Sequence, residues 1–383
     1  MNRWLTLLLI TLSFFIPVHA EQADNWPAWL GSKVKQSAQA NWNILKGEES
    51  VRLSSISKQS KVWVILSKKA DSYDTALKTM LNVYQKQADD IEFRVFLLSE
   101  QQQDLQGWLK KMEQQADLLY TVGSKATVTI YRQYAGGNVP VVSVNAKDPV
   151  LLGLIDSYSG SGNNFAFTSL NLSSAVTLSF IKKYDEQLAQ IGVLYAQQNQ
   201  SAYLTQYLPL KEQAEKQGIA VYPIAVDETV AGSGLNEVMT RQLEKMKQQD
   251  PDLKHSLLWL TGSSSLLKRV EEINQLSDNL PLLTAVPEAV NNSNSSALMS
   301  VGTSFVNNAY QAALYGLKIL NKETEPEDLP VGVIYPPDIS LNFKQAERID
   351  TVIPFVLVEM ASEIYAQDGA IIRTGGMSKE IFN

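Results

Sequence analysis

The side chains that carry most enzyme chemistry are scarce in this sequence. It has no cysteine and two histidines, His19 and His255. Thiol nucleophiles, thiolate metal clusters and disulfides are therefore excluded together. His255 stands just before the apolar run Ser256 to Leu260. That is the amino end of an expected strand, opposite the end where open parallel sheets gather ligands. Neither a Gly-x-Ser-x-Gly elbow nor a Gly-x-x-x-x-Gly-Lys phosphate loop occurs. The pairs Asp89-Asp90 and Glu271-Glu272 read as solvated helix surfaces, not as paired catalytic carboxylates. The remaining chemistry is hydroxyls, amides and backbone donors placed after apolar runs, which suits non-covalent holding of a small molecule. Those positions are Ser67, Gly123, Ser124, Asn145, Asp148, Tyr195, Thr261, Gly262, Ser263, Ser264, Glu288, Gly302 and Thr303. A Gly-Ser pair opening a helix can offer N–H groups to an anionic oxygen. Ser263 and Ser124 could equally serve only as helix caps. Asp148 before Pro149 also reads as a turn residue, and Tyr195 either stacks on a ring or closes a strand end. No metal site and no cofactor is expected.

The elements that would position these residues alternate along the chain. Apolar, β-branched runs of strand length fall at 61–67, 91–98, 117–122 and 139–144. Helical periodicity separates them at 71–88, 101–115 and 124–134. The segment 156–164, rich in serine, glycine and asparagine, breaks the series. The alternation restarts with an extended stretch at 165–169 and helices at 173–184, 201–217, 235–248 and 263–276. Strands are expected between them at 190–195, 219–226, 256–260 and 281–285. A helix over 304–320, a strand over 339–343 and a helix over 354–365 complete the tail. Short loops and right-handed crossovers turn such a series into parallel sheets covered by helices. The expected class is α/β, with two Rossmann-like lobes.

Composition agrees. At 383 residues the chain exceeds one compact core, and 45% hydrophobic residues is too many for a disordered chain. Net charge is −7, from 33 basic and 40 acidic residues without like-charge runs, so no nucleic-acid partner is implied. Residues 1–20 carry Arg3, an apolar stretch and Val18-His19-Ala20, the three-part pattern of a secretory leader cleaved after Ala20. The apolar run is too short to span a bilayer, and no cysteine follows it to accept a lipid. A periplasmic protein, neither lipoprotein nor membrane-inserted, is the expectation. Residues 21–60, polar and bearing Trp26, Trp29 and Trp42, read as an extension packed on the body and outside the main core.

Several segments carry a family resemblance. Gln190-Ile-Gly-Val-Leu-Tyr195, Lys216-Gln-Gly-Ile219 and Val221-Tyr-Pro-Ile-Ala-Val226 resemble the second lobe of the periplasmic solute-binding proteins of ABC transporters. The resemblance is to the type I fold and its aromatic-amino-acid-binding group. Val139 to Pro149, Ser300-Val-Gly-Thr303, Ser340 to Ile349 and Val352-Ile-Pro354 match the same pattern. It implies two lobes joined by three crossovers, a ligand held in the cleft between them, and delivery to an inner-membrane ABC permease. The segment 157–164 would be the first crossover. The resemblance implies lobe I at 61–164 plus about 288–335, and lobe II at 165–287 plus about 336–383. The chain departs from the family at Leu260-Thr-Gly-Ser-Ser-Ser265, where an acidic or amide turn is usual. At Leu283-Thr-Ala-Val-Pro-Glu288 the family's acidic residue is replaced by Val286, leaving Glu288 to meet a ligand ammonium. These departures and the tryptophan-bearing extension leave a second reading open, a degenerate relative acting as a regulatory or interaction module.

Overall fold

The computed structural model describes residues 26–47, 49–54, 60–87, 91–375 and 377–378; the expected leader lies outside them. The apolar runs form two sheets. In the first, Ser60–Leu66 is the centre, flanked by Ile91–Leu97 and Leu118–Val122, with Val141–Val144 and Phe165–Ala166 following outward, all parallel. Every residue of Leu118–Val122 is buried, as expected of a strand covered on both faces. One face is covered by helices Asp71–Gln87 and Phe305–Leu320, whose Leu77, Met80, Tyr84, Ala309 and Ala313 enter a common core. The opposite face is covered by Leu105–Gln115 and Ser124–Tyr134 through Trp108, Met112 and Ile130. Spacings of three and four residues put these side chains on single helix faces.

The second sheet runs Ala220–Val226, Gln190–Ala196, Ser256–Leu260, Leu282–Thr284 and Met299–Gly302 in parallel. Asp338–Asn342 then joins antiparallel, followed by Glu363–Tyr365, Ile371–Thr374 and Met377–Ser378. Helices cover both of its faces as well. A parallel pair, Thr168–Ser169 with Gly332–Val333, lies where the chain passes between the lobes. The expected α/β class with two helix-flanked, mainly parallel sheets is what the chain forms.

Five expectations need correction. The described part of the segment 21–60 is not an appendage to the core. The hairpin Asn43–Lys46/Val51–Ser54 extends the first sheet, helix Ser32–Asn41 packs on helix Asp71–Gln87, and Leu30, Val34, Trp42 and Leu53 are buried in the core. Its polar composition conceals one apolar face, although the tryptophans do pack inward as expected. The segment 157–164 is not the crossover, because Phe165–Ala166 still pairs in the first sheet. The chain leaves that lobe only after Ala166. Strand Met299–Gly302 belongs to the second sheet, not to the first lobe expected for 288–335; the helix after it and the segment through Val331 pack on the first lobe. The expected helix 354–365 stops at Met360, and Glu363–Tyr365 is a strand. The helix 263–276 is broken at Lys268 and Arg269 into Ser264–Leu267 and Val270–Leu276.

Candidate functional site

The carboxyl ends of the two sheets face each other, and their loops meet. Lys147, in the loop after Val141–Val144, is 8% exposed, and its side chain lies over Gly262, in the loop after Ser256–Leu260. A Cβ on Gly262 would collide with Lys147 Nζ and stand 3.5 Å from Gln206 Oε1. Gln206 Oε1 in turn accepts the Gly262 N–H at 2.8 Å. Asn171, on the first crossover, ties both sides. Its Oδ1 accepts the Asp148 N–H at 3.1 Å, and its Nδ2 donates to the Thr205 carbonyl at 2.9 Å.

Thr205 and Gln206 owe their position to a local irregularity. The expected continuous helix over 201–217 contains a π-helical turn at Tyr203–Tyr207 before it resumes at Leu208–Glu215. The wider turn displaces the ordinary hydrogen-bond ladder, which leaves a carbonyl for Asn171 to reach. Asn171, Ser174, Thr177, Thr205, Gln206, and Gly302 share the lining of a cavity with about 20 Å³ of space. That is enough for one water molecule.

The residues expected at the site divide into three groups. Ser124, Gly262 and Gly302 are at the junction. Ser124 Oγ accepts the Lys147 N–H at 2.9 Å, and Ser264, half-buried, begins the short helix beside Gly262. A second group is occupied in holding the fold. Ser67 Oγ donates to the Val122 carbonyl and accepts the Ala126 N–H, both at 2.8 Å. Gly123 has φ +87°, and a Cβ there would collide with the Tyr73 ring. Asp148 spends Oδ1 on the Val150 and Leu151 N–H groups and Oδ2 on Tyr158, a turn role. Thr261 Oγ1 donates to the Leu194 carbonyl, and Ser263 Oγ accepts the Ala196 N–H, so together they fasten neighbouring strand ends. Ser263 caps its helix through the backbone carbonyl, not the hydroxyl. Tyr195 lies in the second lobe's core, with its ring 4.7 Å from Tyr207 and 5.6 Å from Tyr203. Burial pushes its hydroxyl up to about 12.

The third group sits at the crossovers. Asn145 has φ 47°, and its N–H donates to Asn308 Oδ1 at 2.7 Å. Asn145 Oδ1, Asn308 Nδ2 and Thr303 Oγ1 are buried polar atoms without partners among the described residues. Glu288 Oε1 accepts the Phe305 N–H at 2.6 Å, at the start of helix Phe305–Leu320. Its side chain keeps solvent contact, yet the carboxyl is crowded by protein. Burial first, and the charges of Asp338 and Glu363 after it, push it up to about 7.

Sequence reasoning missed Lys147, Asn171, Thr205 and Gln206. Lys147 had a signal, because it lies between two residues that were singled out at a strand's carboxyl end. The others had none, since the crossover and the π-helical turn set their positions. Among the described residues no cluster of acidic, histidine or cysteine side chains could hold a metal ion. No helix among them is long and apolar enough to cross a membrane.

The sequence model of the ABC transporter substrate binding protein family matches residues 84–365, well over half of the chain. The chain belongs to that family. Family members bind solutes and are not enzymes, in keeping with the location of His255 at a strand's amino end, beside Asp185. A tyrosine-binding protein of Clostridioides difficile is 21% identical over 243 residues, which are 63% of this chain and 65% of that protein. The match thus spans just under two thirds of that relative's length. Among solved structures, a conserved domain protein from Vibrio cholerae superposes with a TM-score of 0.61 at 19% identity. That likeness covers 80% of this chain and all of the other. An ABC domain in complex with L-Trp from Streptococcus pneumonia gives 0.59 at 19% identity, covering 79% and 99%. At these identities the likeness concerns the fold, which is that of the type I periplasmic binding proteins.

Proposed function

We propose that this family member is an exported periplasmic protein that captures a small solute between its lobes and delivers it to an inner-membrane ABC permease. The observation that carries the reading is the meeting of carboxyl-end loops from both sheets at Lys147, Asn171, Gln206 and Gly262. A solute held there touches both lobes, so binding favours the closed arrangement by its differential contacts. A permease can then distinguish the closed form from the open one. Export rests on the leader pattern of residues 1–20. The names of the relatives, a tyrosine-binding protein and a complex with L-Trp, put amino acids first among solutes to try. Packing of the tryptophan-bearing segment into the first lobe's core supports solute binding over its use as an interaction arm.

Isothermal titration of the mature chain against aromatic and other amino acids and small organic acids tests the reading. One-site binding by at least one probe is expected. Absence of heat and of thermal stabilisation with every probe at millimolar concentration would overturn it.

A further inference from the structure

Lys147 places a charge where the fold gives it no partner. The residue is 8% exposed, with its ammonium keeping slight solvent contact, and among the described residues that ammonium makes no hydrogen bond or ion pair. Buried charges are ordinarily paired, because removal from water is costly without compensation. The nearest acid in sequence cannot help, since both carboxylate oxygens of Asp148 are taken by Val150, Leu151 and Tyr158. Gln206 Oε1, the other polar atom close to Gly262, accepts the Gly262 N–H.

The Lys147 backbone N–H is fixed to Ser124 Oγ, at the first residue of helix Ser124–Tyr134. A second group of lysines also spans the lobes. Burial first, then Lys268 of the second lobe and Lys125 of the first, lower the pKa of Lys68 in the first lobe. This grouping of lysines from both lobes occurs in a chain of net charge −7. Closing the lobes brings the like charges together, which is unfavourable until an anion lies between them.

We propose that the solute carries a net negative charge, as a small carboxylate, and that Lys147 with the start of helix Ser124–Tyr134 holds its carboxylate when the lobes close. The proposal rests on the reading of the cleft as the solute site and narrows it to a ligand class. A zwitterion would bring a second ammonium towards that of Lys147. The acidic side chain foreseen for that ammonium, Glu288, is instead at the start of helix Phe305–Leu320.

The test uses the mature full chain and two matched series, titrated calorimetrically near neutral pH. One is 3-phenylpropanoate, L-phenylalanine and phenethylamine, with L-tyrosine and L-tryptophan added; the other is glutarate, L-glutamate and L-glutamine. The net anions of a series (3-phenylpropanoate; glutarate and L-glutamate) are expected to bind at least about tenfold tighter than its net-neutral zwitterion (L-phenylalanine; L-glutamine). Lys147→Met should remove that preference, and Lys147→Arg should keep most of it. Anion affinity of the wild type should hold below about pH 8 and fall above it as Lys147 loses its proton, whereas Lys147→Met should show no such fall. Melting temperature reports folding, and the Met variant should melt no lower than wild type. Zwitterions binding as tightly as anions, or an anion preference unchanged in Lys147→Met, would overturn the proposal and leave the solute-binding reading intact. No binding by any probe would overturn both.

Discussion

The hydroxyls of Tyr84 and Tyr120 lie 2.6 Å apart, closed over by Gly316 of helix Phe305–Leu320. Tyr120 also donates to the Ala312 carbonyl at 3.3 Å. The pair seats on the first lobe a helix that follows directly from a strand of the second sheet. A Cβ at position 316 would overlap Tyr120 Oη and crowd Tyr84 Oη at 2.5 Å, and neither buried ring has space to retreat. Gly316→Ala is therefore expected to destabilise by about 1–3 kcal/mol, as overpacking does. Tyr84→Phe, which removes one hydrogen bond and keeps the packing, should cost about 1 kcal/mol. Urea midpoints at constant slope measure both, and an unchanged midpoint for Gly316→Ala would show that the helix can shift without penalty.

Local pattern and chain path differ in how far they can be read from sequence. Ser60–Leu66 and Asp71–Gln87 are legible because burial on both faces of a strand and one face of a helix leaves its periodicity in the residues. Met299–Gly302 is too short to show a period, and its place is set by pairing with Leu282–Thr284. The hairpin at 43–54 was concealed because its outer strand is largely exposed while Val51 and Leu53 point inward. At the candidate site, strand ends point to the loops that meet at the junction but not to which of their residues are already satisfied. Asp148 and Lys147 are adjacent, and only the turn that consumes the carboxylate leaves the ammonium alone. That turn depends on Tyr158 and Asn171, which come from elsewhere in the chain.

Gly262 should matter for binding more than for stability. Its φ is outside the left-handed region, so alanine suits the backbone, and the nearest atom to the added methyl is the mobile end of Lys147. Gly262→Ala is expected to weaken solute binding by about tenfold or more through displacement of the ammonium. The urea midpoint should move by less than about 0.5 kcal/mol. A large loss of stability with unchanged affinity would assign Gly262 to packing alone.

Burial lowers the Lys147 pKa from 10.5 to about 8. The folded state therefore binds fewer protons than the unfolded state between those values, and stability rises with pH across that window. Below about pH 8 the desolvated charge destabilises the ligand-free fold. Lys147→Met should thus be more stable than wild type near neutral pH, and its advantage should shrink from pH 8 to 10.5. Paired urea titrations across that range check the sign, and an advantage that grew with pH would contradict it.

Glu288 titrates in the opposite sense. Its folded pKa is raised from 4.5 to about 7 by burial, with Asp338 and Glu363 adding repulsion. The folded state holds the proton that the unfolded state has lost, so this group's contribution is full below pH 4.5 and is lost as pH rises through 7. Glu288→Gln should flatten that decline while its side-chain oxygen still accepts the Phe305 N–H. Urea midpoints from pH 4.5 to 8 for wild type and variant provide the comparison. Equal slopes would mean that solvent at the carboxyl cancels the effect of the surrounding protein.

Trp42 decides whether the N-terminal segment is part of the lobe or attached to it. The ring meets Phe93 edge-on, with centroids 5.6 Å apart and planes at 82°, and the residue is 7% exposed. Phe93 belongs to Ile91–Leu97, which pairs antiparallel with Val51–Ser54, so ring and hairpin hold the same strand. Trp42→Ala is expected to destabilise by about 3–5 kcal/mol, the usual cost of truncating a buried tryptophan. Removal of the residues before position 55 should expose the core around Phe93 and abolish cooperative folding of the first lobe, and solute binding with it. Calorimetric unfolding distinguishes the cases. A truncated chain that keeps both its transition and its solute affinity would show that the segment is dispensable to the lobe.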